Sequence, residues 1–271
     1  MSTPPAASRT ERITPSPTPM GGLCTQQELV SKLQRSVRLG RDALAPRPVA
    51  PGSRRPRPQG VRPTALPTVP VPGGNSPTVN SLDAVLEHRE SVRYYRKQSV
   101  DAAVVARIVR AGHRADASAW PEEVAAGLDI ELLVAARRMT GSAPAILRLD
   151  EDVFYPLAEL DEETAEDLVL QIEYAWSPVT LIAIAPLADS LDRWGDHGER
   201  LMNIRASAAI TAALHEAAVL GLVGSPFAGF LVSGLRRLLT VDGYANAQLF
   251  AASLGHPAVG DDVVTGGIHR L

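Results

Sequence analysis

The chain has 271 residues, is 45% hydrophobic and carries 27 basic against 30 acidic side chains, enough apolar material for one large domain or two small ones. No apolar run approaches the roughly 20 residues needed to span a bilayer, the N-terminus lacks a signal-peptide core, and the lone Cys24 rules out an intramolecular disulfide or a cysteine-built zinc site. A cytoplasmic protein with no membrane partner and no metal site is expected.

Charge and proline are unevenly spread. Fifteen of the 22 prolines fall in residues 1–80, and residues 1–76 hold eleven Lys/Arg against three Asp/Glu, leaving 16 against 27 for the rest. A basic, proline-rich arm (1–76) therefore precedes an acidic globular domain (77–271). Within the arm, Thr25-Gln26-Gln27-Glu28 reads as a capping box. Apolar Leu29, Val30, Leu33, Val37 and Leu39, interleaved with Lys32, Arg35, Arg38 and Arg41, predict one helix over residues 26–45. Residues 46–72 are too rich in proline and arginine for a core and read as an extended or disordered tether. The arm has no aromatic residue to stack a base, so no nucleic-acid partner is expected. Met20, followed by Gly21-Gly22, offers an alternative start.

A folded pattern begins at Ser81. A short amphipathic helix over residues 82–88 leads into Arg89-Glu90-Ser91-Val92-Arg93-Tyr94. In an extended segment Arg89, Ser91 and Arg93 project to one face, where two forked guanidinium groups and a hydroxyl can close on a phosphoryl group. Residues 101–115 follow as a helix behind an Asp101 cap, with Val104, Val105, Ile108 and Val109 at helical spacing. The branched runs 130–135 and 179–185 read as buried strands, and the acidic stretch 162–174 between them as one amphipathic helix.

Residues 198–220 form the longest helical segment, rich in alanine and able to approach another backbone closely. Gly221 caps it, and residues 224–230 read as a glycine-punctuated turn. A last strand over 248–254 ends in Gly255-His256-Pro257. No internal repeat is evident. No glycine triplet follows a strand and opens a helix, which argues against a nicotinamide Rossmann site.

Four pieces in this order resemble the nitroreductase superfamily of flavin enzymes, specifically its peptide-azoline dehydrogenases: Arg89-x-Ser91-x-Arg93, Gly195-x-x-Gly198-x-Arg200, the helix end through Gly221 with Gly224-Ser225-Pro226, and Leu254-Gly255-His256-Pro257. The resemblance spans residues 81–258. It implies an α+β, three-layer fold whose mixed, mostly antiparallel sheet is flanked by helices, assembled as an obligate homodimer with FMN at the interface. It places Arg89, Ser91, Arg93 and Arg200 with Gly224, Ser225, Pro226 and Gly229 around the flavin. The implied reaction is oxidation of thiazoline or oxazoline rings to azoles in a ribosomally made peptide, as in thiopeptide pathways. The leader segment of the modified precursor peptide and a cyclodehydratase are the implied partners. A general NAD(P)H-dependent nitro or quinone reductase, or a non-catalytic peptide-binding scaffold, is the alternative.

The chain also departs from that branch. Arg193-Trp194 stands where a Lys-Tyr pair is usual, and tryptophan cannot exchange a proton while arginine stays charged. Ser207 and Ala212 replace glycine and asparagine at a flavin contact. His197, Tyr174, Tyr155 and Glu199 are therefore the candidate proton acceptors, with His197 read as a loop residue able to titrate near neutrality. His215 reads as a packed interface residue.

Overall fold

The computed structural model describes residues 26–36, 45–48, 55–72 and 81–258. Met20, Cys24, Arg38, Arg41 and residues 37–44 of the expected arm helix lie outside them. The chain divides into two units, Met1–Gly40 and Arg41–Leu271. The described part of the first is α1 (Gln26–Ser36), which leaves Leu29 and Val30 exposed.

The second unit runs β1 (Val69–Pro70), α2 (Leu82–His88), α3 (Ala102–Ala119), α4 (Pro121–Ala125), β2 (Glu131–Ala136), β3 (Ala145–Asp150), β4 (Val153–Glu159), α5 (Glu162–Glu166) and α6 (Ile172–Ala175). It continues through β5 (Val179–Ala185), α7 (Leu187–Trp194), α8 (His197–Val219), β6 (Val223–Phe227), α9 (Val232–Leu238) and β7 (Ala247–Gly255). The seven strands lie in the order β1-β4-β3-β2-β5-β7-β6, and every paired strand is antiparallel. The parallel component of the expected mixed sheet reduces to isolated bridges, Ser91 with Gly224 and Val100 with Met139.

Side-chain alternation explains the three layers. In β2, Leu132, Val134 and Ala136 face one core while Leu133 and Ala135 face another; in β5, Val179, Leu181, Ala183 and Ala185 oppose Ile182 and Ile184 in the same way. The first core is covered by α3 and α8, the second by α5, α6 and α9 with the loops beside them. Central strands buried on both faces need the continuous apolar runs seen here, each branched side chain contributing about 1.5–3 kcal/mol. α8 spends its small residues on this layer: Ala206, Ala209, Ala213 and Ala217 are buried, and a Cβ built on Gly112 of α3 would stand 2.8 Å from the Ala209 carbonyl oxygen.

Several predicted elements differ. The single helix over 162–174 is two short helices, because the chain between them is drawn out to bond a neighbouring loop: Leu170 N–H donates to the Gly229 carbonyl at 2.8 Å and Leu231 N–H to the Leu168 carbonyl at 2.6 Å. The glycine turn over 224–230 is mostly β6, an edge strand paired along its length with β7. Tertiary pairing overrides the turn signal of its Gly and Pro, which an edge strand tolerates.

The hairpin β3–β4 has no clear signature in the sequence, since Pro156 breaks the strand pattern; a register shift opposite Ile146 and Leu147 accommodates it. Residues 55–72 are extended but bound to the sheet. Val69 pairs with Phe154, Gly60 bridges to Leu239, Arg148 donates to the Pro58 carbonyl, and Arg55 pairs with Asp189.

Candidate flavin site

The arginine motif leaves α2 at Arg89, whose extended backbone (φ −67°, ψ 120°) ends the helix, and it runs along the sheet edge. Ser91 pairs with Gly224 of β6, and Val92 N–H donates to the Gly224 carbonyl at 3.2 Å. The glycine is required there, because a Cβ would lie 2.5 Å from the Ser253 carbonyl oxygen and 2.9 Å from Leu214 Cδ2. Arg89, Ser91 and Arg93 are all exposed. A cavity of about 390 Å3 opens beside them, lined by Arg89, Glu90, Val85, Leu214, Leu222 and Gly224 among others. Gly221, also on its wall, has φ +79° and open space where a Cβ would be.

Arg93 turns away from that lining. It pairs with Glu173 at 3.2 Å and lies 5.6 Å from the centre of the Tyr174 ring. Tyr174, 3% exposed, stacks on Phe227 of β6 at 4.0 Å, and its hydroxyl is 3.4 Å from Ser225 Oγ. The structure thus gathers Arg89, Ser91, Arg93, Gly224, Ser225 and Tyr174 along one edge. Pro226 continues the same strand, and Gly229 follows it, accepting from Leu170.

The other predicted residues are not brought to this edge within one chain. His197, Glu199 and Arg200 begin α8, whereas Leu214 and Ala218 near its other end line the cavity, so about 25 Å of helix axis separates His197 from Leu214. His197 is moreover the first residue of that helix and half-buried, not a free loop residue. Tyr155 sits on β4, opposite Arg148 and five strand positions from β6, roughly 24 Å across the sheet. Ser207 bonds the Asn203 carbonyl one turn back in α8.

Arg193 and Trp194 are committed elsewhere. Arg193 Nε lies 3.0 and 2.9 Å from the two carboxylate oxygens of Glu123, and Trp194 Nε1 donates to the same carboxylate at 2.9 Å. Glu123 is buried, so the pair ties the end of α7 to α4. Gly195 and Gly198 serve packing too: Gly195 leaves α7 at φ +59°, and a Cβ on Gly198 would collide with the Ser190 backbone at 2.5 Å. Neither Glu123 nor Glu173 carried a signal in the sequence that marked it as a partner of these groups.

The profile of the nitroreductase family matches residues 86–256, more than half of the chain. The chain belongs to the nitroreductase family. Among solved structures, a candidate nitroreductase from Anabaena variabilis superposes with a TM-score of 0.57 at 15% identity, over 71% of this chain and 42% of that one. This chain thus spans less than half of the Anabaena protein. A candidate nitroreductase from Ralstonia eutropha gives 0.53 at 16% identity, over 80% of this chain and 100% of that one. The E. coli microcin synthetase McbBCD complex with truncated pro-MccB17 bound gives 0.52 at 14% identity, over 70% and 78%. A search of the curated proteins finds no match.

Members of this family are FMN-dependent oxidoreductases, and FMN is the cofactor it assigns to the chain. The residues present fit it. Among the described residues Arg89 has no acidic partner, and the Arg93–Glu173 pair is half-exposed and worth at most about 1 kcal/mol, too little to exclude a phosphate dianion.

Proposed function

We propose that this nitroreductase-family chain uses FMN to oxidise thiazoline or oxazoline rings of a ribosomally synthesised peptide to azoles. The observation that carries the cofactor half of this reading is the Arg89-Ser91-Arg93 segment held on the Gly224 edge beside an open cavity. Support for the peptide half is the fold shared with a microcin synthetase complex that holds a truncated pro-peptide.

In this reading Arg89, Ser91 and Arg93 bind the phosphate, and the β6 edge from Gly224 to Pro226 offers backbone against the ring. When bound, FMN accepts the hydride lost by the azoline. Tyr174 is the preferred proton acceptor, because it alone of the four candidates lies on this edge within the chain, with the cationic Arg93 above its ring. His197, Glu199 and Tyr155 would have to act from a second copy. Nitroreductase-fold proteins are usually homodimers, which keeps that route open.

A general NAD(P)H-dependent nitro or quinone reductase is the second reading, favoured by the full coverage of the Ralstonia candidate nitroreductase. An absorbance spectrum of the purified protein, with the released cofactor identified, tests for FMN. Loss of two mass units per ring from a cyclodehydrated peptide distinguishes the dehydrogenase. Turnover of nitroarenes with no change in peptide mass would favour the reductase.

A further inference from the structure

The segment that carries the two arginines is fastened from beneath by hydroxyl groups that no ligand can reach. Tyr95 is 1% exposed; its hydroxyl lies 2.7 Å from the Val92 carbonyl oxygen and 2.6 Å from Ser253 Oγ, and Ser253 on β7 is fully buried. A phenol has one proton. Tyr95 donates to the Val92 carbonyl, and the Ser253 hydroxyl, which also reaches the Ser225 carbonyl oxygen at 3.3 Å, donates toward its shorter contact, the Tyr95 oxygen.

Val92 is then held on both sides, its N–H by the Gly224 carbonyl at 3.2 Å and its own carbonyl by Tyr95. Because the peptide group is planar, fixing that carbonyl fixes the plane from which Arg93 departs, while the bridge at Ser91 fixes the residue before it. The glycine of Leu254-Gly255-His256-Pro257 belongs to the same device. A Cβ at Gly255 would stand 2.6 Å from Tyr95 Cδ1, so glycine is what admits the ring. Arg96 N–H donates to the His256 carbonyl at 3.1 Å and Tyr95 bridges to Pro257, which seats the segment beyond the motif as well.

We propose that Tyr95 and Ser253 form a buried latch that sets the arginine-serine-arginine segment on the edge strand, so that phosphate recognition depends on a hydroxyl that never touches the phosphate. The inference rests on the FMN reading above. Tyr95 is a positioning residue. Burial pushes its phenol well above the ordinary tyrosine range, against the opposing effect of the Ser253 hydrogen bond, and a phenol that stays protonated keeps donating.

The test titrates the full-length apoprotein with FMN and with riboflavin, which lacks the phosphate. In Tyr95→Phe the FMN dissociation constant should rise about tenfold while that of riboflavin stays within about twofold, because only the phosphate contacts are disturbed. Ser253→Ala should shift FMN in the same direction, and the double variant should be no worse than Tyr95→Phe, since the two act as one unit. Equal losses for both flavins, in either single variant, would mean general loosening and overturn the latch, as would unchanged FMN affinity. A wild-type chain that binds neither flavin would instead sink the functional reading, and the latch's role with it.

Discussion

Arg89 borders the cavity, whereas Arg93 shares its charge with Glu173 and its face with Tyr174. Arg89→Ala and Arg93→Ala should each lose a charge-assisted contact of about 1.5–3 kcal/mol, or roughly ten- to a hundredfold in FMN affinity. Their apo unfolding temperatures should move little, because neither side chain belongs to the core. Flavin occupancy measured beside thermal unfolding checks this, and full occupancy in both variants would remove the phosphate assignment. Tyr174→Phe keeps the stack on Phe227 and deletes only the hydroxyl near Ser225. It should therefore lower kcat for azoline oxidation by about 10²-fold, as expected for loss of a proton acceptor, with flavin content unchanged. Wild-type turnover by that variant would move the role to a residue supplied by another copy.

Between elements, the most deeply buried ion pair among the described residues joins α3 to α8. Arg205 Nε and Nη2 meet the two oxygens of Asp116 at 2.8 and 2.7 Å, both residues are buried, and Asp116 also accepts the Ile130 N–H at 3.2 Å. Removing one partner strands a buried charge, so Asp116→Ala should cost about 3–5 kcal/mol in chemical denaturation. Replacing both partners with apolar residues should cost far less.

His113 supplies the pH dependence. Its Nε2 accepts the Leu132 N–H at 3.1 Å, and burial holds its pKa below the ordinary 6.5, outweighing Asp129 and Asp116, which push upward, while Arg57 adds to the lowering. The folded state thus prefers neutral His113, and the unfolded chain takes up the proton first as pH falls. The contribution to stability is whole above about 6.5 and shrinks as pH drops toward the depressed folded value. His113→Gln should flatten that part of the stability profile, measured by denaturant midpoints across pH 4–8. An unchanged slope would show that other groups govern it.

Two expectations concern the whole molecule. We expect a homodimer with two flavins, which sedimentation of the holoprotein decides; a monomer retaining full flavin contradicts it. The alanines of α8 do not carry this expectation, since α3 already uses them within the chain. The arm is the other case. Residues 55–72 contribute β1 and the contacts of Arg55 and Pro58, so truncation of residues 1–76 should lower the unfolding temperature, whereas truncation of residues 1–40 should not. If the basic residues around Lys32 and Arg35 recruit a precursor's leader segment, the shorter truncation should raise KM for leader-bearing peptide, more so at low salt, and leave FMN content intact. Unchanged kinetics at low salt would eliminate that role. Among the described residues no helix is long and apolar enough to cross a membrane.

Local chemistry made much of this legible in the sequence. Asp101 caps the helix that the sequence assigns to it, and β2 and β5 follow from apolar runs that only burial on both faces allows. The order of the arginine, glycine and Gly-His-Pro motifs pointed to the family whose profile matches residues 86–256. What the sequence could not decide were relations between distant segments. Whether residues 224–227 turn or pair depends on β7, and whether 162–174 runs as one helix depends on the carbonyl of Gly229. Whether Arg193-Trp194 can serve chemistry depends on Glu123, some 70 residues away. Hydrogen-bond partners of this kind leave no periodicity in the chain. Only the tertiary structure brings Tyr95, Ser253 and Gly255 beneath the arginine segment, where close packing gives each a single role.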